Sequence, residues 1–452
     1  MPNGVCSNEE DPCTFVSGQI LSRAQGLIPG LSQTLAKAPG QFVQGVAPTY
    51  LASGQGSHVV DVDGNEFLDY SMAVGPLVLG YRHPVVDDAI RDQLESGITF
   101  SLMHPLEVAV AERISRVIPN AEMVRFGKSG AEVTSAAVRL ARAYTGRDRV
   151  VCCGYHGWHD WYIGTTTRPR GVPAVVRDLT YTIGYNDLHS VRSALESRDV
   201  ACVILEPVTF EAPRDGFLER LHALCEETGT LLVFDEMWTG FRLAMGGAQE
   251  RFGIFPDLAC YSKAVANGMP LSVLTGRVEV MRLLEQDVFF YSTFGGEALS
   301  LAAALATLGE IEMERVPDHL ARVGRRLGNG YNSLAEELDL PFTRCVGYDC
   351  RTMVTFDSIA EDPLVLKSFV QQELLRRGIL WTGFHNVSQA HTDDDVSYTL
   401  SAYREVLTLL RDAVRHDRVR ESLRGLPVEP VFRRTSHFDT KPVERPIPER
   451  VQ

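Results

Sequence analysis

From about residue 85 to about residue 310, short apolar runs rich in Val and Ile alternate with stretches of helical spacing. The runs predict strands at 123–126, 149–153, 201–205 and 231–235, then one near Ala259 and one at 271–275. Helical repeats fall at 131–145, 187–197, 214–228 and 297–313. Strands that read as continuous apolar runs are buried on both faces. Alternation with helices therefore predicts a mostly parallel sheet covered on both sides, an α/β fold. Ligands of such sheets bind beyond the carboxyl ends of the strands.

The pattern changes on both flanks. HVVDVDGNEFLDY alternates apolar and polar residues around Asp63-Gly64, predicting a hairpin with strands near 58–62 and 66–69. From about 330, PFTRCVGYDCRTMVTFD reads as strands, and FVQQELLRRGIL and SYTLSAYREVLTLLRDAVRH as helices, of a small α+β domain. The expected division is an irregular N-terminal segment 1–57, a first part of the small domain 58–84, a large domain 85–330, a small domain 331–425 and an extended tail 426–452.

Composition adds exclusions. A formal net charge of -14 argues against nucleic acid as main partner and suits a cationic substrate. The acidic, polar start is no signal peptide, and no run of 18 apolar residues occurs, so a cytoplasmic protein without a membrane span is expected. Nine cysteines without a C-x-x-C pair read as free, mostly buried thiols.

The candidate chemistry gathers at strand ends. Asp235 closes the run LLVF, where a carboxylate reaches a ligand crevice or merely caps a turn. Lys263 follows the buried run PDLACY, and a desolvated lysine is a nucleophile suited to Schiff-base formation. Gly127–Glu132 and Ser292–Gly296 are small-residue turns ahead of helices, suited to an anion such as phosphate. Tyr155 sits in GYHGWH after the strand VVCC and can stack on a flat ring, while Glu206-Pro207 ends ACVIL. His156 and His159 lack the further ligands of a metal site, and no metal is expected.

The order and spacing of these elements, above all DEMWTGFRLAMGGAQERFGIFPDLACYSKAVANGMPLSVLTGR at 235–277, resemble the class III, fold-type I aminotransferases, within them the glutamate-1-semialdehyde aminomutase-like branch. The resemblance runs from about residue 20 to about 420. It implies pyridoxal phosphate as cofactor and a large domain with a mostly parallel seven-stranded sheet. Lys263 would be the Schiff-base lysine and proton shuttle, with Asp235 pairing the pyridinium nitrogen. Ser129, Gly130 and Ala131 match the phosphate turn. Tyr155, counted here with the catalytic residues, would stack on one ring face, Met237 pack the other, and Glu206 sit by the phenolic edge. Thr293 matches a threonine that reaches the partner subunit's cofactor phosphate, which implies an obligate homodimer with shared active sites.

The sequence departs from the family at two places. Lys128 stands where many members have Asn. More tellingly, LSQTLAKAP has no Arg where semialdehyde aminomutases carry an S-P-V-R segment for the substrate carboxylate. STFGGEALSLAA is also similar to relatives acting on sugars. The resemblance therefore points to a small-molecule amino donor and a sugar-type acceptor, with 6′-transamination of an aminoglycoside as the concrete expectation. Open alternatives are an epimerase with Tyr155, His159 or Cys350 as second acid, an aminomutase, and a non-catalytic binding protein of the same fold.

Overall fold

In a computed structural model, residues 11–430 are described. The rest of the expected tail, 431–452, lies outside them. The chain divides into two units, one of residues up to His83 together with His319 onward, the other of Pro84–Asp318.

Within the first unit, β1 (Leu51–Gln55), β2 (His58–Asp61), β3 (Glu66–Asp69) and β13 (Ile379–Leu380) form one sheet, with β3 and β13 parallel. β11 (Thr343–Tyr348), β12 (Arg351–Phe356) and β14 (Phe384–Asn386) form an antiparallel sheet. The β2–β3 turn is organised by Asp61, whose carboxylate accepts from the backbone N–H of Asp63 at 2.9 Å and of Asn65 at 2.8 Å, while Gly64 takes a φ of 90°. Helix Asp393–Arg415 opens on a capping box between Thr392 and Asp395.

The N-terminal stretch is more regular than its sequence suggests: helix Phe15–Ala24 and β1 occupy part of it. Cys13 is disulfide-bonded, so the expectation of thiols throughout fails there. Seven other cysteines are free and buried.

The second unit is built on seven strands: β4 (Met123–Gly127), β5 (Arg149–Cys153), β6 (Thr180–Thr182), β7 (Val200–Leu205), β8 (Leu231–Asp235), β9 (Leu258–Tyr261) and β10 (Ser272–Gly276). Their order is β4-β10-β9-β8-β7-β5-β6. Only β10 runs against its neighbours. Every residue of β7, β8, β9 and β10 is buried, and each fully buried Val, Leu or Ile side chain contributes roughly 1.5–3 kcal/mol. Helix Gly130–Thr145 packs Val133, Ala136, Ala137, Val138, Leu140 and Ala141 onto this core. Its small residues permit a close approach to the sheet, and Gly146 stops it in the left-handed conformation. Among the described residues no helix is long and apolar enough to cross a membrane.

Candidate active site

The strand order brings the carboxyl ends of β4, β5, β7, β8 and β9 to one edge of the sheet. The segments leaving that edge carry Ser129, Tyr155, Glu206, Asp235 and Lys263.

Asp235, the last residue of β8, is 2% exposed. Its Oδ2 lies 2.7 Å from His156 Nδ1, and its Oδ1 accepts from the Met237 backbone N–H at 3.1 Å. An ionised carboxylate only accepts, so His156 donates from Nδ1. His156 Nε2 is buried and has no hydrogen-bond partner among the described residues. The carboxylate keeps lone-pair capacity for one more donor, as a pyridinium nitrogen would be.

The turn after β5 is shaped by two glycines. Gly154 has a φ of 108°, and a Cβ there would stand 2.7 Å from Glu206 Oε1. Gly157 has a φ of 101°, and a Cβ there would stand 2.6 Å from the Ala131 side chain. Glu206 Oε1 accepts from the Tyr155 backbone N–H at 2.8 Å, and Thr134 donates its hydroxyl to the His156 carbonyl at 2.9 Å. The turn is thus pressed between the end of β7 and the start of helix Gly130–Thr145. Tyr155 meets the buried ring of Tyr162 edge-on, with centroids 5.6 Å apart. Burial, and then the charges of Asp235 and Glu206, push its phenol above its ordinary value, so it stays neutral and is a proton donor rather than a base.

At the helix start, Glu132 accepts from the backbone N–H groups of Lys128 at 2.6 Å and Ser129 at 3.1 Å. By helix geometry the N–H groups of Gly130 and Ala131 have no intrahelical acceptor and face outward with the positive end of the dipole. A Cβ at Gly130 would stand 2.9 Å from Met237 Sδ, so Met237 borders this turn. Lys128 turns away from the turn. Its ammonium meets Glu297 Oε1 at 2.7 Å, with side chains 17% and 10% exposed.

Lys263 comes two residues after β9 and is half-buried with a φ of 48°. A non-glycine residue in the left-handed region costs roughly 1–2 kcal/mol, strain of the kind retained at functional positions. Its Nζ lies 3.8 Å from the centroid of the Trp238 ring. Thr293 is exposed, on the turn preceding helix Ala298–Met313. That turn touches the end of β4, where a Cβ at Gly295 would stand 3.2 Å from the Phe126 carbonyl oxygen. The sequence reading did not recognise His156 as the partner of Asp235, nor Trp238. The first pairing spans 79 positions and has no local signal. Trp238, three residues past Asp235, could have been flagged as a large aromatic in the densest motif.

These groups fit pyridoxal phosphate: Asp235 for the ring nitrogen, the Gly130 and Ala131 N–H groups and the Ser129 hydroxyl for the phosphate, Tyr155 and Met237 for the ring faces, Lys263 for the aldehyde. Bound there, the cofactor supplies a carbonyl for amines and a ring that takes up an electron pair from the reacting carbon. The chain's own residues would then keep the ring nitrogen protonated beside the Asp235 carboxylate, fix the phosphate on the helix start and offer the Lys263 amine as nucleophile and proton carrier.

Comparison with known proteins agrees. The family model described as aminotransferase class-III matches residues 43–389. The chain is 34% identical over 406 residues to the 3-aminobutyryl-CoA aminotransferase of Cloacimonas acidaminovorans, covering 86% of this chain and 96% of that one. It is 35% identical to the glutamate-1-semialdehyde 2,1-aminomutase of Desulfitobacterium hafniense, covering 87% and 98%. Among solved structures, the pyridoxal phosphate internal aldimine form of the FumI protein of Sphingopyxis superposes with a TM-score of 0.82 at 29% identity, covering 90% of this chain and 98% of that one.

Proposed function

The chain belongs to the class III aminotransferase family and is a pyridoxal phosphate enzyme, and from that premise we propose that it exchanges an amino group between a small-molecule donor and an oxidised amino sugar, at the 6′ position of an aminoglycoside. One observation carries the substrate assignment. The stretch LSQTLAKAP offers no Arg to grip a carboxylate beside the reacting carbon. A net charge of -14 favours the approach of a polycation. The name of one relative, 3-aminobutyryl-CoA aminotransferase, places its amine on an acyl group whose carboxyl is tied up as a thioester. The family thus reaches amines without a free neighbouring carboxylate.

In this reading Lys263, Asp235 and Tyr155 do the chemistry, and Ser129, Gly130, Ala131, Glu206 and Met237 seat the cofactor. Thr293 serves the second subunit of a homodimer. Its exposure, beside exposed Tyr291 and Phe294, leaves it available to a partner.

The test is a half-reaction. Aminoglycosides with a free 6′-amine, glutamate, glutamine and alanine are each mixed with the loaded enzyme, and conversion of the cofactor to pyridoxamine phosphate is followed by absorbance. Conversion by the 6′-amine, and none by a 6′-hydroxyl analogue, supports the assignment. Conversion by carboxylated donors alone removes it. An aminomutase is the second reading, favoured by the 35% identity over almost the whole length of such enzymes. Turnover of glutamate-1-semialdehyde to 5-aminolevulinate would establish it instead.

A further inference from the structure

Lys263 and Trp238 come from different strand ends, and the loop between them is built to keep them together. Trp238 lies in the segment that follows β8. That segment is folded back on itself by Glu236, whose buried carboxylate accepts from the backbone N–H groups of Ala248 at 2.9 Å and Gln249 at 3.1 Å and contacts the Thr239 hydroxyl. The Gly240 N–H donates to the Glu236 carbonyl at 2.9 Å. A Cβ at Gly240 would stand 2.5 Å from the Tyr261 ring, so the segment sits directly on β9. The Gln249 side-chain amide donates to the Tyr261 hydroxyl at 2.6 Å. Two residues beyond Tyr261, the left-handed backbone of Lys263 sends its ammonium to within 3.8 Å of the Trp238 ring centroid. A second cation, the fully buried Arg242, has its Cζ 5.5 Å from the same centroid. The backbone that carries the indole is thereby fixed by groups other than the amine it meets.

The negative face of an indole attracts a cation. We propose that Trp238 is a positioning residue that holds the Lys263 ammonium whenever that amine is not bonded to the cofactor. This rests on the reading of Lys263 as the Schiff-base lysine. With the cofactor's aldehyde carbon taken by a substrate amine, one C=N bond having formed as the other broke, Lys263 would be released as an amine and would take up the proton that the substrate ammonium gives up. On the indole face it stays beside the carbon whose proton it next moves. A tryptophan serves better here than a carboxylate, which would bind the ammonium too tightly to give it back and would repel Asp235.

The experiment uses the cofactor-free protein, so that its readout does not depend on turnover. Wild type, Trp238→Phe, Trp238→Leu and Trp238→Gln are labelled with an amine-reactive anhydride across a pH series. Modification of Lys263 is quantified by peptide mass spectrometry, with Lys37 as internal reference. Only the uncharged amine reacts, so an ammonium held on an aromatic face labels slowly. At pH 8 the Leu and Gln variants are expected to label Lys263 about tenfold faster than wild type, with Phe within about threefold. At alkaline pH, where lysines are uncharged, the rates should converge. Gln fills similar length without an aromatic face and replaces Leu if Leu does not fold. Equal rates in all variants overturn the proposal, as does a constant ratio at every pH, which would mean that removing the indole only opens access. Loss of the visible Schiff-base absorption in Lys263→Ala tests the underlying reading separately. If that absorption persists, the assignment of Lys263 falls. If it is lost and the labelling is unchanged, only the platform falls.

Discussion

His156 donates from Nδ1 to Oδ2 of Asp235 across 2.7 Å, and side-chain exposures of 0% and 1% shut the pair away from water. The two residues are 79 positions apart in sequence. The hydrogen bond fixes the carboxylate's rotation and leaves it lone pairs for a further donor. Aimed by two donors, Asp235 is set to pair with a pyridinium nitrogen without moving, the role proposed for it.

Replacing Asp235 by Asn removes the charge and keeps the shape. The expected result is a fall of about a hundredfold or more in kcat with the melting temperature little changed. His156→Ala keeps the charge and loses its guide. Cofactor affinity should weaken by about 10- to 100-fold, the equivalent of one hydrogen bond to a charged group. Equilibrium dialysis of the cofactor, set beside steady-state kinetics, separates the two effects.

Lys128 and Glu297 join the helix-start turn to the turn that carries Thr293. Lys128→Met leaves Glu297 half-buried with only its own helix's N–H groups and Ser300 as partners. A loss of about 1–3 kcal/mol is expected in urea unfolding. Cofactor affinity should weaken too, although Lys128 is not assigned a cofactor contact. The double variant Lys128→Met, Glu297→Gln should recover part of the stability, which a double-mutant cycle measures.

Gly157 carries both a positive φ and a neighbour too close for a methyl group. Gly157→Ala must strain the backbone and push against Ala131 at the phosphate turn. The expected cost is about 1–3 kcal/mol, together with weaker phosphate binding. Inorganic phosphate should protect the wild type from thermal unfolding more than it protects the variant.

Stability toward acid is set in part by His385 and His391, both fully buried in the first unit. Burial pushes them down from 6.5, His385 to about 3 and His391 to about 4. His385 is bonded to Thr352 and to Tyr403, at 2.8 Å and 2.7 Å. A depressed histidine contributes stability that is fully present above its unfolded value. That stability is lost as pH falls toward its folded value. Between pH 6.5 and about 4 the unfolded chain binds up to two more protons, a slope of as much as about 2.7 kcal/mol per pH unit. Urea melts at pH 7, 5.5 and 4.5 should show it, and His385→Asn should remove about half.

The sheet was largely legible in the sequence because its strands are buried on both faces, and such burial leaves continuous apolar runs. Five of its seven strands stand out that way; a sixth, β4, is only half-buried over 123–126 but is legible from Met123, Val124 and Phe126 around Arg125. The seventh, β6, has only three residues, too few to form a run. β1, LASGQ, is mostly exposed and carries little pattern. Pattern reports burial but not partnership. Lys263 and Asp235 could be singled out as polar groups at the ends of apolar runs. The His156–Asp235 bond and the Lys263–Trp238 contact arise only when β5, β8 and β9 are placed by the sheet. Among the described cysteines seven are buried thiols as composition implies, and Cys13 is disulfide-bonded.

The strand order β4-β10-β9-β8-β7-β5-β6 also governs when a binding site comes into being. The residues proposed to seat the cofactor run from Ser129 to Lys263, and no consecutive stretch of chain holds enough of them to grip it. Long-range pairings close slowly, and β8 must be flanked by both β7 and β9 before Asp235 is buried. A newly made chain therefore has nothing for the cofactor to recognise until the middle of the sheet is complete. Cofactor capture then reports a finished fold, and the binding free energy favours the native state over every partly assembled one.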